Sequence, residues 1–243
     1  MANETSVTDP LAVLLEGREL GLCLDLASGR GACLGRLAAL GEARAWLALD
    51  VEEEPLRALK APPGTLLRLR ADALRPPLRP AMLDTTACSY SLHHLPRPAA
   101  TLAAAARLLK PGGRLVLVEP LADGLRGPQL LHRELHHLAA ALDRRRGRWH
   151  RPTFRLRELR RLLEGLPLAW RWSCWRPAAQ PPGPAVAEVL ETMARLDVEL
   201  ARGHCADLRR RLAELRRRVE RGGYAGQTQF CAVGRRAAAG EAR

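Results

Sequence analysis

Two glycines and three carboxylates in the first third of this 243-residue chain could hold a charged, nucleotide-like ligand. Asp25 ends an apolar run, Gly29 and Gly31 follow it, and a helical pattern begins near Ala32. Glycine lets the backbone turn without a Cβ in the way, and the free N–H groups at the start of the helix would point at a ligand. The motif alone is weak, because Ala27 stands where a dinucleotide-binding fingerprint has its first glycine.

The other two carboxylates, Asp50 and Asp72, also follow short apolar runs. Asp50 lies roughly 20 residues after the glycine turn, the spacing at which a second strand places a carboxylate against ribose hydroxyls. A fourth run follows, then a helical stretch over 102–109 and a strand pattern over 114–120. Because strand and helix patterns alternate, the sequence predicts a parallel sheet.

Five ordered segments within residues 21–120 resemble a class I S-adenosylmethionine-dependent methyltransferase, of the broad group that acts largely on small molecules. These segments read LDLASGRG, LALD, ADAL, SLHHLP and LLKPGGRLVLVEP. The resemblance implies an α/β, Rossmann-like fold with a seven-stranded, mostly parallel sheet and an antiparallel last strand. It also implies S-adenosyl-L-methionine as the cofactor.

The resemblance further implies which residues contact the cofactor. Asp25 and the glycine turn would surround the methionyl end, Asp50 would bond the ribose, and Asp72 with Ala73 would meet the adenine. The predicted cofactor set is Asp25, Ala27, Ser28, Gly29, Gly31, Asp50, Val51, Asp72, Ala73, Cys88 and Ser89. The alternative for Asp25 and Asp72 is a structural role, as residues that cap turns.

Methyl transfer from a sulfonium mainly requires that the nucleophile is held in line and that water is kept out, so no residue is obligatory for the chemistry. A base would help with a phenol or an amine. His93 and His94, which follow the fourth strand, and His132 are the candidates for this role. For His93 and His94 an ordinary structural role is the alternative.

Tyr90, Glu119, His136 and Trp149 are the predicted substrate contacts. His132 and His136 are four residues apart and share a helix face, which raises the question of a metal. Since no third well-spaced ligand accompanies them, the sequence predicts no metal site.

Composition limits the choice of partner. The net charge is +13, and arginine supplies nearly all of the positive charge. This excess is typical of a phosphate-binding surface, but also of the coding habit of a GC-rich genome, which we favour. No apolar run approaches 18 residues and the N-terminus lacks a secretory pattern, so we expect a cytoplasmic protein without a membrane partner. The six cysteines form no C-x-x-C pair and are expected to be reduced core residues.

The expected domain organisation is one cofactor-binding domain over 1–176 and 227–243, interrupted by a helical insertion over 177–226 between strands 6 and 7. The insertion shows two amphipathic helices that need an apolar partner, so it is expected to act as a lid or as a homodimerisation arm.

The leading functional hypothesis is methyl transfer to O, N or C of a small organic molecule. A nucleic-acid methyltransferase is the second, because the stretches 144–161 and 209–221 are rich in arginine. The absence of an Asn/Asp-Pro-Pro-aromatic motif in the fourth-strand region disfavours it. A cofactor-binding protein without catalysis is the third.

Overall fold

Strands and helices alternate along the chain in the computed structural model, which describes residues 9–15, 17 and 19–238. The strands are β1 (Glu19–Leu26), β2 (Glu42–Asp50), β3 (Leu66–Arg70), β4 (Leu83–Ser89), β5 (Leu109–Pro120), β6 (Ala169–Trp175) and β7 (Gln229–Arg235). They form one sheet in the order β3-β2-β1-β4-β5-β7-β6. β7 is antiparallel to both of its neighbours, and the other pairs are parallel, which confirms the predicted fold class.

The helices are α1 (Pro10–Leu14), α2 (Ala32–Leu40), α3 (Glu53–Ala58), α4 (Pro98–Leu108), α5 (Pro128–Arg145), α6 (Leu156–Glu164), α7 (Ala187–Arg202) and α8 (Ala206–Gly222). Two short 3-10 turns, Leu92–His94 and Pro184–Val186, follow β4 and precede α7. Among the described residues, no helix combines the length and the apolar character needed to cross a membrane.

The sheet is buried on both faces because its central strands are apolar on both sides. Successive side chains point to opposite faces, so Leu24 and Leu26 pack with α4 and α6 while Cys23 packs with α1, α2 and α3. The carboxyl ends of the parallel strands therefore meet at one edge of a rigid layer, where an open α/β sheet binds its ligands.

The fourth strand carries two polar residues within the apolar core. Thr85 and Thr86 are fully buried, and Thr85 Oγ1 donates to the Leu20 carbonyl oxygen at 2.8 Å. This bond compensates the burial of the hydroxyl. The residues from Phe154 to Leu163 show a helical pattern, but α6 begins only at Leu156, and Phe154 forms an isolated bridge with Leu121.

The two helices of the insertion pack on α5 of the same chain. Their apolar stripes share one core with Leu131, Leu135, Leu138 and Leu142 of α5. The apolar faces of the insertion are therefore covered within the same chain. Its role as a lid or a dimerisation arm stays a prediction.

One cysteine departs from the expected burial. All six thiols are free, and five are buried, but Cys174 lies exposed on the edge strand β6. The expectation of six core cysteines was wrong at this position, because β6 lies at the sheet edge.

Candidate active site

The turn between β1 and α2 contains three left-handed residues. Ala27 has φ +53°, Gly29 has φ +50° and Gly31, which precedes the first residue of α2, has φ +85°. A Cβ built on Gly31 would lie 2.7 Å from Cγ of Leu59, so this position needs glycine for space as well as for conformation. Ala27 adopts the same conformation at a cost of roughly 1–2 kcal/mol.

The Asp50 carboxylate joins two turns at the sheet edge. Its Oδ2 accepts a hydrogen bond from the backbone N–H of Gly29 at 2.8 Å, and its Oδ1 accepts one from Glu52 at 3.0 Å. The N–H of Ser28 donates to the Leu49 carbonyl and the N–H of Ala71 donates to the Asp50 carbonyl, each at 3.0 Å. These bonds set the turns after β1, β2 and β3 side by side.

Asp25 is the buried acidic group of this edge. Only 1% of the residue is exposed, and neither carboxylate oxygen has a partner at normal hydrogen-bond geometry among the described residues, apart from a weak contact with the Cys33 thiol. Burial raises the pKa of Asp25 to about 8, the charge of Asp50 adds to this, and the nearby Cys33 thiol works against it. Ser28 Oγ is also buried without a partner. Buried polar atoms are normally satisfied, so these atoms fit a bound cationic or polar ligand group.

The remaining predicted cofactor residues lie near the ends of β2, β3 and β4. Asp72 is exposed, and its Oδ1 accepts a hydrogen bond from the N–H of Leu74 at 2.8 Å, so it caps its own turn. Ala73 is buried beside it, whereas Val51 is 64% exposed. The Cys88 side chain lies in the core, and Ser89 is half-buried.

Glu119 is fully buried and does not face open space. Its Oε1 accepts hydrogen bonds from the backbone N–H groups of Ser91 at 3.0 Å and Leu92 at 2.8 Å. Its Oε2 lies 2.6 Å from Nδ1 of His93. Because both oxygens are occupied, this structure gives Glu119 the role of fixing the loop after β4, in place of the predicted substrate contact.

The other candidates near this loop differ in exposure. His93 is buried and its neighbour His94 is exposed. Tyr90, at the end of β4, is 41% exposed and has φ +52°. Trp149 is 56% exposed in the loop after α5 and does not line the cavity described next, whereas His136, another predicted substrate contact, does.

A cavity of about 680 Å³ lies between α5, α7 and the segments 177–180 and 224–226. We call it the helical cavity. Polar side chains in its wall are His132, His136, Asp143, Gln180, Glu188, Thr192, Arg195, Glu199 and Tyr224. Asp25, Asp50 and Asp72 do not line it, so the helical cavity and the glycine turn are separate parts of the protein.

Within the helical cavity, His132 pairs with Tyr224. The Tyr224 hydroxyl lies 2.6 Å from Nδ1 of His132, and the two rings stack with centroids 5.4 Å apart. Burial lowers the pKa of His132 to about 4, so its imidazole is neutral at pH 7. Glu134, which lies between His132 and His136 on α5, forms an ion pair with Arg218 of α8.

Three residues of this region were not predicted as site residues. Tyr224 follows the insertion, while Asp143 and His150 come from the end of α5 and the loop beyond it. His150 Nδ1 lies 2.6 Å from Asp143 Oδ2, and His150 Nε2 lies 3.3 Å from His136 Nε2. No short-range motif connects these positions, because only the packing of the loop against α5 brings them together.

Many arginines of the two arginine-rich stretches are paired with carboxylates. The pairs are Arg145–Asp207, Arg146–Glu199, Arg151–Glu158, Arg209–Asp197, Arg216–Glu220, Arg217–Glu214 and Arg218–Glu134. Paired charges present a weaker field to a polyanion than unpaired ones. Pairing with carboxylates therefore lowers the positive field of these two stretches.

Residues 24–117 match the family model described as a methyltransferase domain. A curated relative, an uncharacterised 37.1 kDa protein of a Streptomyces fradiae transposon, is 33% identical over 115 residues. That match covers 46% of this chain and 33% of the relative, so the chain spans about a third of the length of the curated relative it matches.

Solved structures share the fold over most of the chain. A proposed methyltransferase from Bacillus halodurans superposes with a TM-score of 0.61 at 18% identity, covering 93% of this chain and 96% of that one. A SAM-dependent methyltransferase from Archaeoglobus fulgidus superposes with a TM-score of 0.52 at 16% identity, covering 91% and 87%. At these identities the likeness shows the fold.

Proposed function

We propose that this chain is a class I S-adenosylmethionine-dependent methyltransferase and that it transfers the methyl group to O, N or C of a small organic acceptor, a proposal supported by the methyltransferase-domain match over residues 24–117 and by the shared fold. The reaction would be an in-line displacement at the methyl carbon. When bound, S-adenosylmethionine supplies a methyl group activated by its positive sulfur.

The unpartnered Asp25 carboxylate is the observation that carries this proposal. A buried carboxylate without a partner is strongly disfavoured, and the α-ammonium group of a methionyl moiety would supply the missing charge and the missing donors. Ser28 and the glycine turn would surround that end of the cofactor. Asp50, which already lies beside Gly29, would accept hydrogen bonds from the ribose hydroxyls.

Asp72 and Ala73 would meet the adenine, and Val51, Cys88 and Ser89 would complete the surroundings of the cofactor. Ala73 offers an apolar surface at this place, while Asp72 orders the turn that presents it. Because the Cys88 side chain is in the core, any contact from this residue would come from its backbone.

The helical cavity is our candidate for the acceptor site. Its volume of about 680 Å³ lies within the range typical of small-molecule pockets, and its wall combines apolar side chains with a few polar ones. Three acidic residues and one arginine, Arg195, line the wall, and this negative balance disfavours a nucleic-acid phosphate there. Neutral His132 could accept a proton from an acceptor hydroxyl or amine, and Tyr224 would orient its ring.

Cofactor calorimetry tests the first half of the proposal. Asp50→Ala should weaken S-adenosylmethionine binding by about 10–100-fold, because a hydrogen bond to a charged group contributes roughly 1.5–3 kcal/mol. Asp197→Ala is the matched control, since Asp197 is an acidic residue on α7 that pairs only with Arg209 among the ion pairs described here. A folded wild-type protein that gives no heat with S-adenosylmethionine or S-adenosylhomocysteine would overturn the proposal.

Labelled methyl transfer tests the second half. Wild-type enzyme should methylate at least one member of a panel of phenols, amines and quinols, and His132→Phe should lower that rate while cofactor affinity stays unchanged. Mixed RNA and DNA belong in the same panel. Methylation of nucleic acid alone, with binding that weakens steeply as salt rises, would replace the small-molecule acceptor with a polyanion.

A further inference from the structure

Four histidines from three segments of the chain lie together beside the helical cavity, and His136 is the member that lines it. His93 and His94 belong to the 3-10 turn after β4, His136 to α5, and His150 to the loop beyond α5. The ring centroids of His93 and His136 lie 4.7 Å apart, those of His136 and His150 4.9 Å, and those of His93 and His150 5.5 Å. His94 stacks on His150 with centroids 3.9 Å apart.

Two of these imidazoles contact a carboxylate through Nδ1. Glu119 Oε2 lies 2.6 Å from Nδ1 of His93, and Asp143 Oδ2 lies 2.6 Å from Nδ1 of His150. A carboxylate at Nδ1 keeps the proton there and leaves the Nε2 lone pair free to bind. Metal-binding histidines are typically oriented by carboxylates in this way.

The spacing of the ring nitrogens fits one ion. One nitrogen from each of His93, His136 and His150 lies within 4.8 Å of the other two. Two nitrogens bound to a tetrahedral zinc ion with Zn–N bonds of about 2.0–2.1 Å are about 3.3 Å apart. The Nε2 atoms of His136 and His150 already lie 3.3 Å apart, and the ligand nitrogen of His93, within 4.8 Å of both, would have to approach them to complete the triad.

Hydrogen bonds to the backbone carbonyl oxygens of His93 and His150 hold the histidine segments together. The N–H of Arg151 donates to the His93 carbonyl oxygen at 3.1 Å, and Arg144 Nη1 donates to the His150 carbonyl oxygen at 2.7 Å. His93 and His150 are 2% and 4% exposed. The ligands are thus positioned by the fold before any ion binds, which is what a specific site needs.

We propose that His93, His136 and His150 bind a divalent transition metal, with Zn²⁺ as the best match. Imidazole nitrogens suit Zn²⁺, and Glu119 with Asp143 balances its two positive charges. Three protein ligands leave a fourth position. His136 and Asp143 both line the helical cavity, so this position would take water or an oxygen of a bound molecule.

A hydrogen-bonded group of histidines without a metal is the competing explanation, and direct metal binding separates the two. Metal-free protein titrated with Zn²⁺ should bind one ion per chain with a Kd of about 10 µM or tighter. His136→Ala and His150→Ala should weaken binding by about 100-fold, and Asp143→Asn by about 10–100-fold, because Asp143 acts only through His150. The control is His204→Ala, an exposed histidine between α7 and α8, which should leave the Kd unchanged.

Folding of each variant is checked by circular dichroism and by S-adenosylmethionine calorimetry without metal. If either alanine variant fails to fold, Co²⁺ bound to wild-type protein decides by its visible spectrum, since intense d–d bands report tetrahedral coordination and weak bands do not. Zn²⁺ binding weaker than about 10 µM, or binding of equal strength in folded His150→Ala, would overturn the metal site. Cofactor binding is measured separately, so the methyl-transfer proposal can fail or hold independently.

Discussion

Two regions of the molecule are built in different ways: the cofactor edge, formed by the turns after β1, β2 and β3, and the histidine cluster, formed by His93, His136 and His150. At the cofactor edge, turns of a few residues after β1, β2 and β3 carry the polar groups, and their own backbone bonds set them side by side. The histidine cluster takes its members from positions 93, 136 and 150, and its carboxylates from 119 and 143. The comparison shows that a site made of turns is encoded locally, whereas a site made by packing depends on how distant segments meet.

If the two sites are built in these different ways, cavity-forming mutations in the core around the sheet and in the core shared by α5, α7 and α8 should affect cofactor binding differently. Leu24 on β1 and Leu200 on α7 are both fully buried, and changing either to Ala should lower the free energy of unfolding by about 2–5 kcal/mol. Leu24→Ala should also weaken cofactor binding, since Leu24 is the neighbour of Asp25. Leu200→Ala should leave cofactor affinity within about twofold, because sites that share no partners act independently.

Chemical denaturation and cofactor calorimetry on the same samples measure both quantities. Equal losses of cofactor affinity in the two variants would mean that the helical layer and the cofactor edge behave as one unit.

On the cofactor side, the buried Asp25 carboxyl should make the stability of the protein depend on pH. The pKa of this carboxyl rises from 3.8 to about 8 on burial, so the folded protein favours its protonated form. Its stabilising contribution is complete below about pH 4 and is lost as pH rises towards about pH 8. At about 1.4 kcal/mol per pKa unit, ligand-free protein should therefore lose several kcal/mol of stability from this group over that interval, up to about 5 kcal/mol.

Denaturant titrations across this pH range, on wild type and on Asp25→Asn, provide the measurement. The Asn variant should show a flatter profile, and saturating S-adenosylmethionine should reduce the loss in wild type by giving the carboxylate a partner. Identical profiles for the two proteins would show that Asp25 is solvated or paired.

The smallest effect concerns the left-handed alanine of the glycine turn. Ala27→Gly should raise the free energy of unfolding by about 1 kcal/mol, because glycine adopts φ +53° without the Cβ clash. Ala32→Gly, in the first turn of α2, is the opposite control and should destabilise by roughly 0.5–1 kcal/mol. A destabilised Ala27→Gly would show that the local sequence does not dictate this turn.

The sheet and its cofactor edge could be predicted largely from the sequence. The apolar runs that end at Asp25 and Asp50 correspond to β1 and β2, and the glycines of the turn correspond to its left-handed residues. Each of these features depends on a few consecutive residues. The antiparallel direction of β7 came from the resemblance to a family and not from residue spacing.

The histidine cluster and the burial of Glu119 could not be predicted in the same way. His132 and His136 stand out because they share a helix face, but the partner of His132 is Tyr224, 92 residues further along the chain. Glu119 ends a strand, where an exposed carboxylate is as plausible as a buried one. Glu119 is buried because the loop after β4 folds back over the strand end, and this tertiary contact cannot be inferred from neighbouring residues.

The exposed thiol of Cys174 makes the protein convenient for spectroscopy. Since the other five cysteines are buried, a maleimide dye should attach to one known place on the native protein without prior mutagenesis. The raised pKa of this thiol means that labelling should quicken as the buffer is made more alkaline. A fluorophore there, next to Trp175 at the end of the same strand, would report by quenching on any rearrangement of the neighbouring segment when ligands are added.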